Sequence, residues 1–267
     1  MIKPQCILAV DIGNTRAKFG CFEHPEHGLP RATEIVARVV AEDVCLADEL
    51  NAWWSAFSTQ EPHVAVIAGS DPETRDALIA QWPFEQTPTV ISGFKQIPIQ
   101  VDVEFPHRVG IDRLLNVFAA QRMQVHPSPV ITVDSGTATT VDLMTSDGTF
   151  RGGSILPGLR LSAHAMHDYT ARLPLLNVDE EPAELPRLPG RNTEEAMRAG
   201  LFIGQLGAVK ELIARLTDAA NSRFQQQSPP GIVISGGGGR QLVRHIPGAT
   251  YFDSLALHGL AFLAAAS

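Results

Sequence analysis

Two stretches of this chain place an aspartate, a glycine and hydroxyl side chains at the end of an apolar run, a combination suited to handling phosphate. The first is Asp11-Ile12-Gly13-Asn14-Thr15-Arg16-Ala17-Lys18, after Ile7-Leu8-Ala9-Val10. The second is Asp134-Ser135-Gly136-Thr137-Ala138-Thr139-Thr140-Val141-Asp142, after Val130-Ile131-Thr132-Val133, about half the chain's length further on. Glycine lets a backbone turn tightly and approach a polyphosphate closely. Threonine hydroxyls and successive backbone N–H groups donate to phosphate oxygens. The aspartates cannot bind phosphate, but they can hold a cation or its waters, because magnesium takes oxygen ligands and bridges to phosphates. Lys18 adds a compact positive charge. One Asp-x-Gly turn is ordinary in a hairpin. Two near-identical ones at half-chain spacing point to one unit used twice, with two phosphate-gripping hairpins facing each other across a cleft.

The elements that carry these loops follow from periodicity. Residues 7–22 read as strand, turn and strand, and residues 43–58 as a helix. A strand over 63–68 ends at Gly69-Ser70-Asp71, and Pro72 sits where the first turn of a helix tolerates it. A short strand at 89–92 and an alternating stretch at 97–104 precede a helix over 110–124. In that helix Ile111, Leu114, Leu115, Phe118 and Met123 fall at helical spacing, with Asp112, Arg113 and Asn116 off the stripe. This helix is expected to bridge two halves, giving domains at 1–117 and 118–267. The segment Val125-His126-Pro127-Ser128-Pro129 leads into the second hairpin. Asp147-Gly148 is a turn signal that returns a third strand over 149–155. Pro157-Gly158 opens a helix to about residue 168, and a polar, proline-rich loop with Pro174, Pro182, Pro186 and Pro189 follows.

Asn192 with Glu195 resembles a capping box, opening a helix to about residue 220. Its Gly200, Gly204 and Gly207 cost helix propensity and suit close packing, against a helix or a nucleotide base. A strand over 231–235 runs into Gly236-Gly237-Gly238-Gly239, which lets the backbone pass flat against a ligand. A closing helix over 253–266 is capped by Asp253 or Ser254.

The bulk composition narrows the function classes. The chain has 267 residues, 44% hydrophobic and 19% charged, enough to bury a core in one large or two medium domains. A net charge of −8 argues against a nucleic-acid surface, which needs a basic stripe. The three cysteines, Cys6, Cys21 and Cys45, have no CxxC spacing and suit reduced core roles in a reducing compartment. The nine histidines form no zinc pattern. His164 and His167 could share a helix face, with a solvated or packed role. No apolar run approaches the ~20 residues of a membrane span. No secretory leader is read at the start. The expectation is a cytoplasmic protein without a membrane or nucleic-acid partner.

Taken in order, five segments resemble the type III pantothenate kinase family of the actin/Hsp70/sugar-kinase superfamily. They are the first loop, Pro106-His107-Arg108-Val109-Gly110-Ile111-Asp112-Arg113, the second loop, Gly152-Gly153-Ser154-Ile155-Leu156-Pro157-Gly158, and Ser235-Gly236-Gly237-Gly238. The resemblance covers nearly the whole chain. It implies an α/β fold of duplicated ribonuclease-H-like (actin-like ATPase) domains and phosphorylation of pantothenate by ATP, the first step toward coenzyme A. Asp11, Gly13, Asn14, Thr15 and Lys18 would then hold ATP and Mg2+, and Thr137 a second phosphate. Asp134 would hold a monovalent cation, K+ or NH4+, and Gly236 and Gly237 would lie on the adenosine side. Gly110, Ile111, Asp112 and Arg113 would bind pantothenate, with Asp112 as general base. Thr193 would reach pantothenate, often from the neighbouring subunit of a homodimer. Val103 stands where the family frequently carries a tyrosine.

The residues themselves agree with this chemistry. Phosphoryl transfer needs positioning and charge neutralisation more than covalent help. Asp112 lies in the first turn of its helix, where the dipole favours a carboxylate; the same position would suit a plain helix-start residue. Arg113 could pair with a carboxylate or touch substrate. Two other functions use the same framework: another small-alcohol or sugar kinase, and a non-catalytic regulator that binds ATP without turning it over.

Overall fold

The computed structural model describes residues 5–25, 28–41, 43–58, 60–124, 128–178 and 185–266. The expected connector at Val125-His126-Pro127 and the loop proline Pro182 lie outside them. The chain divides into two units, one of residues up to Met123 together with Ser254 onward, the other Gln124–Asp253.

The first unit begins with β1 (Gln5–Ile12), β2 (Arg16–His24) and β3 (Arg31–Val39), followed by α1 (Leu46–Phe57) and β4 (Val64–Gly69). It continues with α2 (Pro72–Ala80), β5 (Thr89–Ile91), the two-residue β6 (Gln100–Val101) and α3 (Ile111–Arg122). Its main sheet has the order β3-β2-β1-β4-β5. β1 runs antiparallel to β2 and parallel to β4. Both faces of β1 are covered, which is why its sequence is almost continuously apolar. Leu8, Val10 and Ile12 join Leu50, Trp53 and Trp54 of α1 in one core. The thiols of Cys6 and Cys21 meet at 2.9 Å across β1 and β2, and all three cysteines are free. Helix α2 starts where its sequence says it should. Asp71 accepts hydrogen bonds from the N–H groups of Glu73 and Thr74, and Pro72 takes the first helical position.

The second unit contains β7 (Val130–Ser135), β8 (Ala138–Met144), β9 (Thr149–Pro157), α4 (Leu159–Asp168) and α5 (Thr193–Ser222). It ends with β10 (Gly231–Ser235), α6 (Gly239–Val243) and β11 (Ala249–Tyr251). Its strands lie in the order β11-β10-β7-β8-β9. β7 runs antiparallel to β8 and parallel to β10. Each unit therefore sets its loop-bearing strand between an antiparallel hairpin partner and a parallel strand, and the duplication inferred from the two loops is a duplication of topology. The Asp147-Gly148 turn falls between β8 and β9, with Gly148 at φ +79°.

The domain boundaries differ from those expected. The closing helix α7 (Leu255–Ala265) belongs to the first unit, where it packs against α3, β1, β2 and β4. Gly259 permits this: a Cβ there would lie 2.7 Å from the carbonyl oxygen of Leu115 on α3. The Ser254 side chain does not cap α7; Ser254 takes a left-handed conformation at φ 50°, ψ 58°. Strand structure within 97–104 is confined to β6. The polar face expected on α3 is also narrower, because Asn116 is only 2% exposed. On α5, a Cβ at Gly200, Gly204 or Gly207 would meet nothing within 4 Å, so the close packing suggested by these glycines is not made among the described residues.

Candidate functional site

In the first unit the Asp11–Lys18 loop closes β1 onto β2. Asp11 pairs with Lys18 and Ile12 with Ala17 across the hairpin. The Gly13 N–H donates to the Arg16 carbonyl at 3.0 Å. The turn leaves Asn14 and Thr15 exposed while Asp11 is buried at its base. Strand register thus puts the carboxylate of the motif and its lysine side by side.

The first turn of α3 is built around Gly110. A Cβ there would lie 2.5 Å from Oδ1 of Asp112, so only glycine leaves the carboxylate its place. Oδ1 accepts the Arg113 N–H at 2.9 Å. Ile111 anchors the turn in the core, while Asp112 and Arg113 stay half-buried. Val103 lies in a bend rather than a strand and is half-buried.

In the second unit Asp134 pairs with Thr140 and Ser135 with Thr139, leaving Gly136 and Thr137 at the turn. The Gly136 N–H donates to the Ala138 carbonyl, and the Gly158 N–H to that of Thr137, each at 3.0 Å. Thr137 is exposed at the tip. The glycine loop after β10 folds directly over this hairpin. Gly236 has φ +84°, and a Cβ there would lie 2.5 Å from Oδ1 of Asp134 and closer still to the carbonyl oxygen of Ser135. The Gly238 N–H donates to that same carbonyl at 3.0 Å. Asp134, Thr137 and the Gly236-Gly237 loop, distant in sequence, therefore form one local cluster. Thr193 is the first residue of α5 and is exposed.

Residues not singled out in the sequence complete this cluster. The Tyr251 hydroxyl donates to the Gly236 carbonyl at 3.2 Å. The guanidinium of Arg240 sits 5.0 Å over the Tyr251 ring and pairs with Asp253 at 2.9 Å. Burial pushes the Tyr251 phenol up to about 12; the negative charges of Asp253 and Asp134 reinforce the rise and Arg240 opposes it. Gln205 on α5 reaches the hydroxyls of Ser135 and Thr139. No local sequence signal marks Tyr251 or Gln205, because each acts on a loop far away in the chain.

The model of one family, type III pantothenate kinase, matches residues 7–215. The chain belongs to the type III pantothenate kinase family. It is 31% identical over 263 residues to the type III pantothenate kinase of Caulobacter vibrioides, covering 95% of each chain. Among solved structures, a conserved Baf family transcriptional activator from Campylobacter jejuni superposes with a TM-score of 0.60 at 18% identity, covering 96% of each chain. An activator of 2-hydroxyisocaproyl-CoA dehydratase from Clostridium difficile, solved with bound ADPNP, superposes with a TM-score of 0.55 at 12% identity, covering 98% of this chain and 94% of that one. The likeness to these structures is one of fold, the duplicated ribonuclease-H-like architecture of actin-like ATPases. Among the described residues of this type III pantothenate kinase family member, no helix is long and apolar enough to cross a membrane.

Proposed function

We propose that this chain transfers the γ-phosphoryl group of ATP to the primary hydroxyl of pantothenate, giving ADP and 4′-phosphopantothenate at the entry to coenzyme A synthesis. The observation that carries this reading is membership of the type III pantothenate kinase family across residues 7–215, a span that includes both aspartate-glycine-threonine hairpins and the Gly110–Arg113 turn.

Each residue's part follows from its chemistry. Backbone N–H groups of the Gly13-Asn14-Thr15 turn and the Lys18 ammonium would bind phosphate oxygens of ATP. Asp11, at the base of that turn, is suited to a magnesium ion or its waters. One or two carboxylates are what a nucleotide-bound magnesium takes from a protein. When bound, that ion neutralises charge on the phosphate oxygens. Thr137 would hold a second phosphate, and the Gly236-Gly237 backbone would lie along the adenosine. Asp134, beside that glycine loop, would hold the monovalent cation, K+ or NH4+.

Gly110, Ile111, Asp112 and Arg113 form the acceptor side. Asp112 accepts the Arg113 N–H, and the helix dipole favours its ionised form. It would orient the pantothenate hydroxyl and take its proton late, as a weak base suits a loose transition state. Thr193 would contact pantothenate from the neighbouring subunit of a homodimer, and Val103 would leave the far end of the substrate without the tyrosine frequent in the family. A cytoplasmic setting fits these substrates.

The test is ADP release from the purified protein with ATP, magnesium and pantothenate, with and without potassium or ammonium. Pantothenate-dependent release that needs the monovalent ion is the expected result. Folded protein that binds ATP but releases no ADP under either condition would move the reading to another acceptor or to a regulator.

A further inference from the structure

Helix α5 turns a nearly unbroken apolar face toward the sheet of the second unit, with Phe202, Leu206, Val209 and Ile213 all buried. Gln205 interrupts it. The residue is 7% exposed, and its Nε2 donates to Oγ1 of Thr139 at 2.6 Å and to Oγ of Ser135 at 3.4 Å. Thr139 in turn donates to Ser135 at 3.3 Å. Both hydroxyls belong to buried residues, Thr139 at 0% and Ser135 at 3% exposure. They belong to the two residues that face each other at the root of the Gly136-Thr137 turn. Ser135 is also where the glycine loop lands. Its carbonyl accepts from Gly238, and its Oγ occupies the space a Gly238 side chain would need, 2.6 Å from the Cβ position. One amide thus secures the residue on which hairpin, glycine loop and α5 converge.

Stability alone does not explain an amide here. Oε1 of Gln205 is buried with no hydrogen-bond partner among the described residues. A half-satisfied buried amide costs more than an apolar side chain of the same shape.

We propose that Gln205 is a positioning residue for nucleotide binding: by holding the Ser135 and Thr139 hydroxyls it fixes the hairpin turn and the glycine loop in the geometry that receives ATP. This rests on the reading that the Asp134–Thr140 hairpin grips ATP phosphates. Gln205 itself touches no substrate; it acts through the two hydroxyls.

The experiment compares wild type, Gln205→Met, Thr139→Val and the triple variant Gln205→Met/Thr139→Val/Ser135→Ala by calorimetric titration with magnesium ATP and by thermal melting. Removing one partner strands the other in the core, so both single variants lose stability. Replacing all three side chains of the network with apolar groups of similar shape leaves no polar atom of it stranded and is nearly neutral for stability. The expected result is ATP affinity about tenfold weaker in Gln205→Met, a loss of the size typical for a buried hydrogen bond. In the triple variant that loss persists although the melting temperature recovers. Wild-type affinity in Gln205→Met, or affinity that recovers together with the melting temperature, would overturn the proposal and leave Gln205 a packing residue. Wild-type protein that binds no ATP would instead overturn the nucleotide reading of the hairpin, and the proposal with it. Wild type that binds ATP without phosphorylating pantothenate would change only the acceptor, and the titration would still decide the role of Gln205.

Discussion

Replacing Gly236 by alanine tests the contact that joins the glycine loop to the second hairpin. Two penalties combine there. A left-handed φ of +84° costs a residue with a Cβ about 1–2 kcal/mol. The new methyl also lands 2.5 Å from Oδ1 of Asp134, far inside the 3.4 Å at which ordinary contact begins. Overpacking of this kind costs about 1–3 kcal/mol. Gly248 supplies the control, because its φ is +77° and a Cβ there would meet nothing within 4 Å. Gly248→Ala should therefore lose about 1.5 kcal/mol from backbone strain alone, and Gly236→Ala about 3.5 kcal/mol. At about 3 °C per kcal/mol for a protein of this size, the melting temperatures should fall by about 4 °C and about 10 °C. ATP titration should separate the variants further. Gly236→Ala pushes on Asp134 and Ser135 together and should weaken binding more than tenfold, by analogy with the loss of about 1.4 kcal/mol that each tenfold represents. Gly248→Ala should bind normally. If the two variants melt within about 2 °C of each other and bind ATP alike, the loop does not rest on the hairpin as described.

Further expectations follow from the same geometry. Asp112→Asn should cut kcat by about 10²–10⁴, the usual contribution of a positioned base, without changing the melting temperature; near-normal turnover would remove Asp112 from that role. Gly110→Ala should displace the Asp112 carboxylate and lower kcat in the same direction while α3 still forms, which circular dichroism would check. Hydrogen bonds from the Thr74 hydroxyl and the Thr74 N–H hold the Asp71 carboxyl below its ordinary value; slight burial opposes them and the Glu73 N–H adds to them. Its stabilising effect is therefore complete above the unfolded value of about 3.9 and lost as pH falls through the lower folded value. Asp71→Ala should cost about 1 kcal/mol at neutral pH, a deficit that closes in acid and is measurable by denaturant melts. The phenol step of Tyr251, read as the difference between wild type and Tyr251→Phe in absorbance at 295 nm so that Tyr169 cancels, should come near pH about 12; a difference step near 10 would mean the ring is not buried against Gly236.

The sequence was most legible where chemistry and local structure coincide. Strand runs that end in aspartate, glycine and threonine mark both hairpins. The Asp71-Pro72 start and the apolar spacing of α3 are likewise local properties. Asn192 was half legible. It caps α5 through the Glu195 N–H, but the Glu195 carboxylate accepts from the Arg191 N–H rather than completing the expected reciprocal bond. What stayed hidden depends on contacts across the chain. Strand β3 has no fully buried side chain among its nine residues, so its sequence lacks the alternation of a half-buried strand. Tyr251 and Gln205 reach the site only once β11 and α5 are in place. The membership of α7 was hidden as well: an apolar helix announces that it will be buried, not against which sheet.

Helix α7 has a consequence for how this protein is made. The second unit is a single continuous run, Gln124–Asp253, flanked on both sides by the first. During synthesis the first unit must wait for residues 255–265 to cover β1, β4 and α3. At ribosomal speeds of about 5–20 residues per second, that is a delay of roughly 7–30 s. In that interval the whole second unit emerges, free to fold first, while an apolar face of the first stays exposed to chaperones. The hairpin bearing Asp11 is thus translated well before the helix that finishes the core beneath it. A chain ending at residue 253 and held on a stalled ribosome by a flexible linker long enough to clear the exit tunnel should carry a protease-resistant second unit and a protease-sensitive first one.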